Sequence, residues 1–209
     1  MIGPYCVFRH NYAKPKRAKG RANLFRKRYN RSNWGYIMAG KPRILVITGT
    51  GKGKTTAALG IILRSLAAGK KVLLTRFCKA APSGEVEIFS KMDGITMLSG
   101  DCGRTPQPEH PDFPRHLRCA RDLFEKTLAA ETEYDLIVLD EICGVTARNM
   151  IAEDEVVAFL EGLRPGQAAV LTGRGAGEKL VRLADTVSEI HPVKHAMDQG
   201  IMAQEGIEY

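Results

Sequence analysis

No apolar run in the 209 residues is long enough to span a bilayer, and the N-terminus carries no signal-peptide core. Neither a membrane protein nor a secreted one is expected. The five cysteines, Cys6, Cys78, Cys102, Cys119 and Cys143, are odd in number and have no paired spacing. That pattern excludes a zinc ribbon or a disulfide framework and predicts reduced thiols in a cytoplasmic protein. His110, His116, His191 and His195 lack metal-ligand spacing and read as ordinary polar residues. No Ser, Cys and His arrangement forms a triad signature, no carboxylate pair suggests glycoside chemistry, and there are no internal repeats.

Acid is missing altogether from residues 1–37, which hold ten Lys or Arg: Arg9, Lys14, Lys16, Arg17, Lys19, Arg21, Arg26, Lys27, Arg28 and Arg31. The net charge of +8 therefore belongs to this extension. Setting its ten cations aside leaves 21 basic against 23 acidic residues, a net of −2 for residues 38–209. The extension reads as an electrostatic arm for nucleic acid, an organelle transit peptide, an arm over a neighbouring subunit, or an upstream extension of the reading frame. The last is preferred, because Met38-Ala-Gly-Lys-Pro leads directly into the first strand. Nucleic acid is not an expected partner, since nothing in residues 38–209 supports it. Without hydrophobic periodicity, the extension is expected to be mostly disordered.

What is present from Arg43 onward is an alternation of apolar runs and helical patterns. It predicts one α/β domain with a parallel sheet covered by helices on both faces. Strands are expected at Arg43–Thr48, Lys71–Phe77, Ile95–Leu98, Asp135–Leu139, Ala168–Thr172 and Thr186–Ile190. Helices are expected at Lys54–Ala68, Phe113–Ala130 and Glu153–Leu163. In the first helix Leu59, Ile62, Leu63 and Leu66 fall on one face, and Gly69 ends it. Ser99–Arg115 contains four prolines and reads mainly as a loop, and Pro192–Tyr209 is polar and aperiodic.

The stretch Val46–Thr56, VITGTGKGKTT, resembles a Walker A phosphate loop with a glycine missing. The standard spacing puts Gly five positions before the Gly that precedes Lys-Thr, and Thr48 stands there. The leading glycine is Gly49, which makes the loop one residue short. Between a strand and a helix, Gly49, Gly51 and Gly53 let backbone N–H groups turn inward as an anion nest at a positive helix end. Thr50 and Thr56 belong to the same nucleotide-binding run, Lys54 and Lys52 supply charge to phosphates, and the Thr55 hydroxyl is placed to ligate Mg²⁺. DLIVLDEI, Asp135–Ile142, has the form of a Walker B strand that brings Asp140 and Glu141 to its carboxyl end, where open parallel sheets bind ligands. VLTGRGA, Val170–Ala176, repeats the strand-and-glycine turn and sets Arg174 at the same edge, able to neutralise a phosphate chain. These residues together define a Mg-nucleotide site.

Three stretches, TGTGKGKTTAALG, DLIVLDEI and LTGRGA with ADTVSEIHPVKHAMDQGIMAQEGIEY, resemble the P-loop type of corrinoid adenosyltransferase over roughly residues 43–209. The most specific part is Pro192-Val193-Lys194-His195 with the ending Gly206-Ile207-Glu208-Tyr209. The resemblance implies a three-layer P-loop NTPase (RecA-like) domain on a mainly parallel sheet. It implies that ATP donates its 5′-deoxyadenosyl group to the Co(I) of a reduced corrinoid, with Mg²⁺ or Mn²⁺ as cofactor and triphosphate as leaving group. It also implies a homodimer and a flavoprotein reductase as electron donor. Gly51–Thr56 carry over as ATP-binding, Lys54, Lys52 and Arg174 as the catalytic cations, and Glu141 as the favoured metal-side carboxylate with Asp140 the alternative. Glu85, after Gly84, matches a family Gly-Glu pair. The sequence departs from the family at Thr75-Arg76-Phe77-Cys78-Lys79-Ala80, and at Ser99-Gly100-Asp101-Cys102-Gly103, where well-known members offer a Phe and a Trp to the corrin. Either Phe77, Phe89 or Phe113 takes their place, or the preferred corrinoid differs.

Overall fold

The computed structural model describes residues 41–78, 84–100, 102–103 and 105–207. The basic extension, its boundary at Met38 and its expected disorder lie outside the described residues, as do Lys79, Ala80, Asp101 and the final Glu208-Tyr209.

Among the described residues six strands form one sheet: β1 (Arg43–Thr48), β2 (Val72–Arg76), β3 (Ile95–Ser99), β4 (Leu136–Asp140), β5 (Ala168–Thr172) and β6 (Thr186–Glu189). Their order is β3-β2-β4-β5-β1-β6, and every pairing is parallel. All carboxyl ends therefore meet at one edge. Successive strands connect through α1 (Lys54–Ala67), α2 (Gly84–Phe89), α3 (Phe113–Ala130), α4 (Ile142–Ala147), α5 (Glu153–Glu161) and α6 (Glu178–Leu183).

Parallel strands covered on both sides read as nearly continuous apolar runs, and all five residues of β2 and of β4 are buried, with polar side chains only at their carboxyl ends, Thr75 and Arg76 on β2 and Asp140 on β4. Their side chains alternate between two cores. Val72, Leu74, Leu136, Val138 and Val170 pack with Ala58 and Ile62 of α1 and Phe89 of α2. Leu73, Ile137, Leu139 and Leu171 face the other way, onto Leu123 and Phe124 of α3, Phe159 and Leu160 of α5 and Leu180 of α6. Removing one such side chain from water stabilises the domain by about 1.5–3 kcal/mol. These are the three layers that the sequence predicts. No helix among the described residues is long and apolar enough to cross a membrane.

The bounds of β1, α3 and β5 are those expected from sequence, and the other expected elements shift by two residues at most. Two differences are informative. Leu63 is 48 % exposed, and the buried stripe of α1 runs through Ala58 and Ile62, one position, about 100° of helix, away from it. The small Ala58 lets the helix settle against the sheet there. The second difference is α2, α4 and α6, none of which was expected. Each has only six residues, under two turns, and Ile142–Thr146 of α4 are all buried, so no amphipathic period exists to be read.

Candidate functional site

The glycine loop lies between β1 and α1 and rests on the chain leaving β6. The Gly51 N–H donates to the Ile190 carbonyl at 2.8 Å, and the Ile190 N–H donates to the Thr48 carbonyl at 2.9 Å. A Cβ on Gly49 would lie 2.3 Å from the Ile190 carbonyl oxygen, and one on Gly51 would lie 2.8 Å from Ile190 Cγ2. Gly49 also has φ +101°. Glycine is thus required twice, for backbone shape and for this close approach. Thr48 explains the missing glycine: it is the last residue of β1, buried, and paired in register with Glu189 of β6. The strand continues through the position where a standard loop has already begun to turn.

Lys54 opens α1 with its side chain buried, and its Nζ donates to the Gly51 carbonyl at 2.8 Å. Burial holds its pKa below the ordinary lysine value. Glu141 opposes that shift, Arg174 adds to it, and Asp140 opposes it again. Thr55 Oγ1 donates to Asp140 Oδ1 at 2.9 Å, and the same oxygen accepts from Thr172 Oγ1 at 2.6 Å. Thr172 Oγ1 also accepts from the Glu141 N–H at 2.9 Å. One threonine at the end of β5, the strand between β1 and β4, thereby fixes both acidic residues. Glu141 has φ +70°, a left-handed conformation that costs a non-glycine residue on the order of 1 kcal/mol and holds it out of line with β4, at the wall of the cavity.

That cavity has a volume of about 640 Å³. Thr50–Thr56 form one wall, α2 contributes Gly84, Glu85 and Ile88, and Glu141 and Arg174 face in from the strand ends. The chain beyond β6 closes the rim with His195, Gly206 and Ile207. Lys52 Nζ donates to the Ile207 carbonyl at 2.7 Å. Buried Arg76, at the end of β2, lies 3.8 Å from Glu85 and anchors α2 to the sheet edge. Gly173, ahead of Arg174, has φ +133°, and a Cβ there would lie 2.9 Å from the Gly144 N.

Of the residues singled out in the sequence, Thr50 to Thr56, Glu141 and Arg174 line this one cavity. Gly49 packs against Ile190 and is not part of that lining, and Asp140 stands behind Thr55 at 1 % exposure. Sequence reasoning missed Thr172, whose only mark was its place at the end of an apolar strand. It also read His195 as an ordinary polar residue, whereas the structure puts it on the cavity wall. Phe77 and Phe89 are core residues, 0 % and 4 % exposed, so neither can replace a corrin-facing aromatic; Phe113 is only half-buried. Among the described residues no three His, Cys, Asp or Glu cluster as a metal site. Mg²⁺ held by a hydroxyl, a carboxylate and phosphate oxygens does not need such a cluster.

A strand, a glycine loop and a helix, with an acidic strand end joined to the loop threonine, define a nucleotide-binding P-loop domain. The chain belongs to the ATP:corrinoid adenosyltransferase family: the sequence model described as "ATP:corrinoid adenosyltransferase BtuR/CobO/CobP" matches residues 40–209. It is 37% identical over 171 residues to the corrinoid adenosyltransferase of Escherichia coli K12, covering 79% of this chain and 85% of that one. It is 38% identical over 168 residues to the corrinoid adenosyltransferase CobA of Salmonella typhimurium LT2, with the same coverage. Among solved structures, the KaiC-like protein PH0186 of Pyrococcus horikoshii OT3 overlaps 77% of this chain and 80% of its own at 18% identity with a TM-score of 0.44.

Proposed function

We propose that the chain transfers the 5′-deoxyadenosyl group of ATP to the Co(I) centre of a corrinoid and releases inorganic triphosphate. The observation that carries this reading, in a member of this family, is the convergence of Lys52, Lys54 and Arg174 on one cavity. The electron pair of Co(I) forms the Co–C bond to C5′, and the pair of the C5′–O5′ bond leaves with the triphosphate. The nucleophile arrives with the corrinoid, so Glu85, Glu141 and His195 need take no proton from it. What the protein must supply is position and charge. Lys54 exchanges the Gly51 carbonyl for phosphate oxygens, Lys52 exchanges the Ile207 carbonyl, and Arg174 meets the chain from the turn after β5.

The donor set beside the loop fits Mg²⁺ or Mn²⁺, because the Thr55 hydroxyl, 2.9 Å from Asp140, and the Glu141 carboxylate are hard oxygen donors. Thr55 with Glu141, backed by Asp140, would hold the ion, which when bound adds positive charge against the triphosphate. The reading extends to a cytoplasmic homodimer supplied with electrons by a flavoprotein reductase, which analytical ultracentrifugation and reconstitution with a reductase would check.

The deciding assay incubates the protein anaerobically with ATP, Mg²⁺ and chemically reduced corrinoid, and follows the cobalt spectrum and the phosphate product. A new Co–C bond with stoichiometric triphosphate is expected. Orthophosphate released without corrinoid would replace this reading with an ATPase or kinase acting at the γ-phosphate.

A further inference from the structure

The far end of the same sheet edge holds a second cavity, of about 550 Å³, between the residues that follow β3 and helix α3. Arg115, Arg118, Asp122 and Lys126 line it from the helix. Their spacing of three, four and four residues sets all four side chains on one helical face. Among the described residues three cations share the space with one acid, although residues 38–209 as a whole carry a net of −2. Arg115, Arg118 and Lys126 have no carboxylate partner among the described residues, whereas Arg121 on the same helix is paired with Glu155 at 2.5 Å. The two cations of α6 are paired too, Lys179 with Asp154 and Arg182 with Glu178. The loop backbone is drawn close to this face: a Cβ on Gly100 would lie 2.4 Å from Cys119 Sγ. Any side chain there would collide with Cys119 and crowd Leu123.

The position relative to the nucleotide site follows from register. Ser99 of β3 and Asp140 of β4 both pair with Arg76 of the intervening β2. Two strand spacings, about 10 Å, therefore separate the rim of the second cavity from the acid behind Thr55. The triphosphate of ATP is accounted for by the glycine loop. A co-substrate wide enough to present its metal at C5′ and also reach along the strand ends meets these cations next.

We propose that this cavity is an oxyanion subsite for the corrinoid, gripping a phosphodiester or a carboxylate on the periphery of the macrocycle while cobalt faces the nucleotide. The inference rests on the transferase reading above. Both anions suit paired guanidinium groups, and the choice between them separates a corrinoid with its nucleotide tail from an incompletely amidated precursor.

The test measures binding without turnover, by equilibrium dialysis of the full-length chain with three corrinoids. Cobalamin has the phosphodiester, cobyrinic acid a,c-diamide has free carboxylates, and cobinamide has neither. The double variant Arg115→Ala/Arg118→Ala should weaken binding of at least one anionic corrinoid about tenfold. Cobinamide affinity should move less than about twofold, since it offers no oxyanion to pair. The arm that falls names the anion. Arg118→Lys should restore part of the loss, because it keeps the charge without the bidentate fork. Equal loss for all three corrinoids, or no loss for any, overturns the subsite. Charge-selective binding in a protein that adenosylates none of them would instead overturn the transferase reading and leave the subsite standing.

Discussion

The two sides of the nucleotide cavity are built by opposite means. On the sheet side, Thr55, Asp140, Thr172 and Glu141 are joined by a chain of hydrogen bonds between strand ends, and the loop rests on Ile190. On the other side, the chain beyond β6 carries His195 and Ile207 to the rim, yet its apolar side chains are largely in solvent, with Val193 and Met202 at 105 % and 85 % exposure. The difference teaches where precision is stored. On the proposed reading, the charges that would meet a triphosphate in one geometry sit on the part that the sheet core makes rigid, whereas the rim is fastened by contacts that a ligand can replace, such as Lys52 to Ile207.

If that contrast holds, the largest effect belongs to the sheet side. Lys54→Ala should lower kcat/KM for adenosyl transfer about 10³-fold, because it removes a buried cation aimed at the leaving group. Steady-state triphosphate release measures it. A loss of tenfold or less would make Lys54 no more than one exposed charge among several.

A pair of substitutions then separates the two acids. Asp140→Ala strips the acceptor from two hydroxyl groups, one of them fully buried on Thr172, and should cost about 2–3 kcal/mol of stability as well as activity. Glu141→Gln removes charge from the cavity wall but leaves the backbone bond to Thr172 intact, so activity should fall while the unfolding midpoint stays within about 1 °C. Urea or thermal unfolding without nucleotide reads both. Comparable destabilisation by the two variants would erase the distinction drawn between a structural acid and a wall acid.

How far the sequence revealed this arrangement depends on whether a local pattern existed to be read. The apolar runs of β1, β4 and β5, the long α3 and the glycine loop announce themselves by composition and spacing, and they carry most of the site. Thr172 does not, because its role arises from β5 lying between β1 and β4, and strand order is not a local property. His195 and Ile207 reach the cavity along an irregular, polar segment with no period at all. Gly49 and Gly51 were legible as glycines, but the reason they cannot be alanines is Ile190, about 140 residues away. The short loop also changes meaning: Thr48 is not a lost glycine but a strand residue held by β6.

The comparison sharpens further with pH. Burial lowers the Lys54 pKa, and an arriving triphosphate raises it again by pairing the ammonium. The charged form binds phosphate, so ATP affinity is retained below the pKa of the free site and lost as pH rises through it. The alkaline limb of ATP affinity should therefore lie below 10.5, the ordinary lysine value, with cobalt chemistry excluded by measuring binding alone. A limb at or above that value would mean that Lys54 is as well solvated as a surface lysine.

The smallest expected effect tests the rim. Lys52 is exposed, and it already donates to the Ile207 carbonyl, so binding ATP would trade that hydrogen bond for a stronger one to a charged phosphate. Lys52→Ala should raise the ATP KM about fivefold and leave kcat nearly unchanged, since only the difference between the two bonds is lost. The same variant removes a tie to Ile207, so amide exchange in the segment from Glu205 to Ile207 should speed up in the free protein. If kcat instead fell as it does in Lys54→Ala, the loop's exposed lysine would belong with the rigid wall, and the division between the two sides of the cavity would lie in the C-terminal segment alone.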